Sequence, residues 1–189
     1  MTVADKITLS RIILAPVFFL VYFYSIFSPT VSVGLLWLLF LLIEVSDYLD
    51  GKAARKYSAV TTFGKLFDPF ADVIARLTYF VCFVASGIMP FWIFLIILYR
   101  EFGILFLRML LSMKGVAMGA RPGGKLKAVF YMAAGLISLI YISIKDLRVF
   151  SSAENGVLTA ATVIYVLAAI LSVASFIDYL IQFKKLNAQ

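Results

Sequence analysis

Four aspartates lie within one short stretch of an otherwise apolar sequence. Asp47 and Asp50 are three residues apart, and Asp68 and Asp72 are four apart, so the members of each pair share one face of a helix. If two antiparallel helices carry them, the four carboxylates converge at one depth and repel each other unless protons or cations compensate. Such all-oxygen ligands suit a pair of divalent cations about 4 Å apart. The alternative is that these aspartates only cap helices or face solvent.

Small and basic residues accompany the carboxylates. Gly51 and Ala54 allow a ligand to approach the backbone closely, and the guanidinium of Arg55 suits a pair of phosphate oxygens. The chain has no histidine, which excludes histidine-based acid–base chemistry and histidine–metal sites. Its one cysteine, Cys82, excludes a disulfide within the chain.

The elements that must position these residues are membrane-spanning helices. Of the 189 residues, 63% are hydrophobic, whereas soluble domains contain about 45–50% apolar residues. The mean hydropathy is +1.04. We expect an all-α polytopic membrane protein in which residues 1–189 form one domain. Six transmembrane helices are predicted, at about 8–27, 31–51, 66–86, 90–113, 125–144 and 156–183.

Charge bias predicts the orientation of these spans. In a six-span arrangement most basic residues fall on one side, which the positive-inside rule places in the cytoplasm together with both termini. We expect Arg11 to lie in a retained first helix, since no cleavage pattern follows it. The site would then face the cytoplasm from the plasma membrane. The basic residues on that side are Lys6, then Lys52, Arg55, Lys56 and Lys65 in a predicted 52–65 loop, then Lys114, Arg121, Lys125, Lys127, Lys184 and Lys185.

The aspartates and their neighbours form a family motif. The pattern D-x-x-D-G-x-x-A-R, eight residues, G-x-x-x-D-x-x-x-D resembles the signature of the CDP-alcohol phosphatidyltransferases, and the length and six-helix layout are also similar. Every motif position is filled here, by Asp47, Asp50, Gly51, Ala54, Arg55, Gly64, Asp68 and Asp72.

The resemblance implies a reaction and a role for each motif residue. These enzymes transfer a substituted phosphate from a CDP-linked donor, commonly CDP-diacylglycerol, to an alcohol and release CMP. By similarity, Asp47, Asp50, Asp68 and Asp72 bind Mg²⁺ or Mn²⁺, two ions in a site, and Asp72 is also the general base. The remaining motif residues would bind the nucleotide and phosphates of the donor: Gly51, Ala54, Arg55 and Gly64.

Basic residues elsewhere in the chain bear on the acceptor. Arg108 ends a polar stretch of the fourth span, and Lys125 and Lys127 open the fifth. Several cations around one pocket suit a phosphorylated acceptor. The segments TLSRIILAPVFF, REF followed by Arg108, and GKLK are most similar to those of family members that use sn-glycerol 3-phosphate. Val73 stands where those members often have lysine. The alternatives are that the lysines are ordinary loop charges and that Arg108 reaches the membrane interface. Arg100 and Glu101 could also form a structural pair with partners such as Glu44 or Arg76.

Other functions remain open. Inositol phosphate, serine or phosphatidylglycerol could replace glycerol 3-phosphate as acceptor, and a divalent-cation transporter could also use membrane aspartates. A transporter should place carboxylates near the midplane and show internal symmetry, whereas no repeat is visible here. The net charge of +7 is assigned to lipid surfaces and anionic substrates and not to nucleic acid. A homodimer is expected from the family resemblance.

Overall fold

The described part of the chain forms six long α-helices. The computed structural model describes the backbone of residues 3–24, 26–57, 62–116 and 122–187, and the side chains of residues 6–24, 26–46, 67–116 and 123–187. A short 3₁₀ turn, Ser151–Ala153, precedes the last helix. The helices are α1 (Val3–Tyr24), α2 (Pro29–Tyr57), α3 (Thr62–Ala85), α4 (Phe91–Met113), α5 (Pro122–Leu147) and α6 (Glu154–Asn187).

These helices match the six predicted spans, and most boundaries agree within a few residues. The predicted 52–65 loop is wrong in extent, because α2 continues to Tyr57 and α3 already begins at Thr62. Lys, Ala and Arg after Gly51 are good helix formers, so the polar composition of this stretch does not interrupt the helix.

Four stretches of the described chain are long and apolar enough to span a membrane: Lys6–Tyr24, Pro29–Ser46, Gly123–Leu147 and Ser151–Asn187. Helices α3 and α4 have 24 and 23 residues, which is also long enough to cross a hydrocarbon core of about 30 Å. Charged residues interrupt the apolar sequence of both helices. Asp68, Asp72 and Arg76 lie on α3, and Arg100, Glu101 and Arg108 lie on α4.

The six helices close into a ring. Going round it, α1 packs on α2, α2 on α5, α5 on α6, α6 on α4, α4 on α3, and α3 on α1. Helix α3 also reaches α5 across the ring. The ring therefore brings α3, α4, α5 and α6 around one side of the interior, although α3 and α6 are far apart in sequence.

Aromatic side chains fill much of that interior. The buried ring of Tyr79 packs edge-on against Phe40 at 5.3 Å and Phe80 at 5.0 Å between centroids. Phe80 in turn packs edge-on against Tyr131 at 5.5 Å and Tyr165 at 5.7 Å. Edge-to-face contacts at these separations are favourable, and they join α2, α3, α5 and α6 in one core.

Glycine permits the close approach of α5 to Phe40 on α2. A Cβ atom added to Gly135 on α5 would lie 2.6 Å from Cε2 of Phe40 on α2. Glycine also ends two helices, because Gly87 after α3 and Gly115 after α4 both adopt φ of +73°, a left-handed conformation that favours glycine.

Candidate active site

Asp68 and Asp72 lie one turn apart on α3, as the sequence predicts, and α1 contacts both. The hydroxyl of Thr8 donates a hydrogen bond of 2.7 Å to Asp68. The guanidinium of Arg11 forms an ion pair with Asp72 and also donates from Nε to the hydroxyl of Ser46 on α2, at 3.3 Å. Helix α1 therefore orients both carboxylates, although it carries no residue of the aspartate motif.

The other motif side chains lie outside those that the structure describes. Their backbone belongs to α2 and to the first turns of α3. The metal-ligand and donor-binding predictions for these residues remain predictions: Asp47, Asp50, Gly51, Ala54, Arg55 and Gly64. Among the described residues alone, no group of three or more side chains could hold a metal ion.

A cavity of about 340 Å³ opens next to Asp72. Its walls come from the first half of α3, the second half of α4, the first turns of α5 and the last part of α6. Because consecutive helices alternate in direction, these parts lie at one end of the ring, together with Thr8 and Arg11 of α1. The cavity and the described motif aspartates therefore share one end of the molecule.

Cations dominate the cavity wall. Among the side chains that the structure describes, five basic and two acidic ones line it, which gives a formal net charge of +3. A pocket of this size with convergent cations suits a small anionic ligand. The predicted acceptor residues Arg108, Lys125 and Lys127 all lie in this wall. The charged lining residues within the described part of the chain are Asp72, Arg76, Arg100, Glu101, Arg108, Lys125 and Lys127.

Three of these charges form a compact buried cluster. Glu101 accepts hydrogen bonds from Arg100 Nη1, at 3.0 and 3.1 Å, and from the ammonium of Lys127. None of the three residues is more than 6% exposed. Arg100 also donates to Ser175 on α6 at 2.5 Å. Arg100 and Glu101 therefore pair with each other, and Lys127 joins this pair while still lining the cavity.

Arg108 and Lys125 lie in the cavity wall outside the Glu101 cluster. No described carboxylate pairs with Arg108, whose Nη2 donates to the hydroxyl of Tyr179 at 3.2 Å. Its buried Nε has no hydrogen-bond partner among the described residues. Lys125 is exposed at the start of α5. Acidic side chains therefore neutralise the positive charge of Arg108 and Lys125 less than they neutralise that of Arg100 and Lys127.

Sequence reasoning missed four residues of this site. Thr8, Arg11, Ser175 and Tyr179 were given no role there, yet the first two bind the aspartates and the last two bind the cavity arginines. A signal existed for Arg11, which is a charged residue within the apolar part of α1. No sequence signal distinguished Tyr179 from the nine other tyrosines.

Comparison with known proteins identifies the family. The sequence profile of the CDP-alcohol phosphatidyltransferase family matches residues 1–174. The chain therefore belongs to the CDP-alcohol phosphatidyltransferases, a family of membrane-lipid enzymes, as its motif predicts.

Individual relatives carry more specific names. The chain is 42% identical to the CDP-diacylglycerol–glycerol-3-phosphate 3-phosphatidyltransferase of Treponema pallidum, over 95% of this chain and 88% of the relative. It is 32% identical to a probable phosphatidylglycerophosphate synthase of Mycobacterium tuberculosis, over 93% and 78%. A CMP-forming cardiolipin synthase of Streptomyces coelicolor is 34% identical, but over only 61% of this chain and 51% of the relative.

Proposed function

We propose that this enzyme transfers the phosphatidyl group of CDP-diacylglycerol to sn-glycerol 3-phosphate, forming phosphatidylglycerophosphate and releasing CMP. One observation carries the proposal: the cavity of net charge +3 includes Asp72, the last aspartate of the family motif, in its wall. An acceptor whose phosphate lay against the basic residues would have its hydroxyl group within the same cavity as this carboxylate. The similarity to the Treponema enzyme supports the same acceptor.

In the proposed reaction, a hydroxyl oxygen of the acceptor attacks the phosphorus that carries diacylglycerol. The new P–O bond forms as the bond to the CMP oxygen breaks, and Asp72 takes the proton of the hydroxyl group. Arg108 and Lys125 hold the acceptor phosphate, and Lys127 adds positive charge from its pair with Glu101. These contacts convert an encounter between two substrates into a reaction within one site.

Four carboxylates would hold the divalent cations, namely Asp47, Asp50, Asp68 and Asp72. The described pair fits this role, because Asp68 and Asp72 are hard oxygen ligands one turn apart. Bound Mg²⁺ or Mn²⁺ would neutralise charge on the phosphoryl oxygens. Arg11 and Thr8 keep the two α3 carboxylates in one orientation, while Gly51, Ala54, Arg55 and Gly64 would bind the donor.

Phosphatidylglycerol is the main competing acceptor, because the Streptomyces relative is named a cardiolipin synthase. The cavity favours the smaller substrate. A phosphate monoester carries close to two negative charges at neutral pH, whereas a phosphodiester carries one. A wall of net charge +3 therefore compensates glycerol 3-phosphate better.

We further propose that all six helices of this single domain cross the plasma membrane, with both termini and the cavity on the cytoplasmic side. The charges that interrupt the apolar sequence of α3 and α4 belong to the site itself. A homodimer is proposed from the family resemblance.

The test is CMP release by purified protein in detergent, with CDP-diacylglycerol and Mg²⁺ or Mn²⁺. Glycerol 3-phosphate, inositol 1-phosphate, serine, inositol and phosphatidylglycerol are offered one at a time. Release with glycerol 3-phosphate, abolished by EDTA and by Asp72→Asn, is the expected result. Release only with another acceptor would overturn the acceptor assignment and keep the chemistry, and no release with any acceptor would overturn both.

A further inference from the structure

Tyr179 occupies an unusual position in the cavity wall. It lies on α6, beyond residues 1–174 that match the family profile, and it is only 2% exposed. Its ring centre lies 5.7 Å from the guanidinium carbon of both Arg100 and Arg108. Its hydroxyl accepts the hydrogen bond from Arg108 Nη2 at 3.2 Å.

The two arginines depend on Tyr179 to different degrees. Arg100 is also held by Glu101 and Ser175, so its geometry and charge are fixed without the tyrosine. For Arg108, the contacts with Tyr179 are its only polar or ring contacts among the described residues. A long arginine side chain without such a partner can extend to the membrane interface and loses much rotamer entropy when it is held in place.

The hydroxyl end of Tyr179 also lies close to the backbone of α5. A Cβ atom added to Gly124, at the start of α5, would lie 3.6 Å from the tyrosine hydroxyl oxygen and 3.7 Å from Cε2. The tyrosine therefore fills the space between α4 and the beginning of α5. Its hydroxyl engages one end of the Arg108 guanidinium and leaves other N–H groups, including the unpaired Nε, without a described partner.

We propose that Tyr179 is the positioning residue for acceptor binding: it fixes the Arg108 guanidinium in the cavity wall, so that its remaining donors receive the phosphate monoester of the acceptor. This inference rests on the proposed function. It extends the acceptor site to a part of α6 outside the family match, and it assigns α6 a role in choosing phosphorylated over unphosphorylated alcohols.

The test compares Tyr179→Phe with Tyr165→Phe. Tyr165 is a matched control, since it is a buried tyrosine on the same helix whose hydroxyl bonds Ser138 at 2.8 Å, away from the cavity. For Tyr179→Phe we expect the KM for glycerol 3-phosphate to rise about tenfold, as for a lost hydrogen bond to a charged group. The kcat and the KM for CDP-diacylglycerol should stay within about twofold, because neither the aspartates nor the donor site changes.

A double-mutant cycle tests whether the effect of Tyr179 depends on Arg108. If Tyr179 acts through Arg108, then Tyr179→Phe combined with Arg108→Ala should raise the KM no further than Arg108→Ala alone. Additive effects, or an unchanged KM in Tyr179→Phe, would overturn the inference. If Tyr179→Phe lowers thermal stability, the dissociation constant of glycerol 3-phosphate, measured by calorimetry on folded protein, should still rise in this variant and not in Tyr165→Phe.

Failure of this inference can be told apart from failure of the proposed function. Wild-type protein that releases no CMP with glycerol 3-phosphate would contradict the acceptor assignment itself. Wild-type activity with glycerol 3-phosphate together with an unchanged KM in Tyr179→Phe would contradict only the role of Tyr179.

Discussion

The guanidinium of Arg11 on α1 forms an ion pair with the carboxylate of Asp72 on α3. Arg11 is only 1% exposed, and its Nε also donates to Ser46 on α2. One buried side chain thus connects three helices at the aspartate proposed as the general base. A base that must accept a proton from a bound alcohol has to be held within hydrogen-bond reach of it, and Arg11 supplies that restraint.

Replacing Arg11 by Met should lower kcat at least tenfold, because the Asp72 carboxylate loses the contact that fixes its orientation. The KM for glycerol 3-phosphate should change much less, since the cavity cations are untouched. The measurement is steady-state CMP release. Lys6→Ala is the control, as Lys6 is exposed on the same helix, and a full kcat in Arg11→Met would show that the ion pair does not orient the base.

Glu101→Gln should destabilise the protein by about 3 kcal/mol, because it leaves Arg100 and Lys127 buried without their counter-charge. Thermal unfolding in detergent measures the effect. The double variant Glu101→Gln with Lys127→Met removes one charge of each sign and should recover part of the lost stability. A double variant less stable than Glu101→Gln would mean that Lys127 contributes to the fold independently of Glu101.

Gly135→Ala should destabilise the bundle by about 1–3 kcal/mol, as overpacking of a filled core does. Its Cβ would lie 2.6 Å from Cε2 of Phe40, which is fully buried and cannot withdraw without disturbing Tyr79. Gly34→Ala is the matched control, since no atom lies within 4 Å of its added Cβ. Chemical or thermal unfolding in detergent should separate the two variants, and equal stabilities would argue against close α2–α5 packing.

The proposed topology predicts opposite labelling of two engineered cysteines. The native Cys82 is buried, so it adds little background. In intact cells a membrane-impermeant thiol reagent should label Ser152→Cys, in the turn before α6, and should not label Met113→Cys, at the end of α4, until the cells are opened. The reverse pattern would invert the orientation, and labelling of both sites in intact cells would contradict the spanning of α5.

The sequence predicted the parts of this protein that depend on local pattern. Each of the six apolar stretches contains a helix in the structure. The i, i+4 spacing predicted that Asp68 and Asp72 share one face of α3, because an α-helix has 3.6 residues per turn. Arg108, Lys125 and Lys127 were expected around one pocket, and all three line the cavity.

The contacts that were missed depend on how the ring closes. Arg11 reaches Asp72, and Arg108 reaches Tyr179, only because α1 packs on α3 and α6 packs on α4. No periodicity within one helix encodes such pairings, so they could not be inferred from spacing. The loop predicted at 52–65 was too long for a different reason: Lys52, Arg55 and Lys56 were assigned to a loop because they are polar, whereas Lys and Arg have high helix propensity and belong to α2.

The motif carboxylates and most of the cavity wall lie on different helices, and this separation has an evolutionary consequence. The carboxylates proposed to take part in the reaction belong to α2 and α3, while most of the wall of the proposed acceptor site belongs to α4, α5 and α6. Substitutions in the latter three helices can therefore alter which alcohol is accepted while the reaction itself is inherited unchanged. A duplicated gene could diverge in this half alone, so one ancestral chemistry could give rise to enzymes for several head groups.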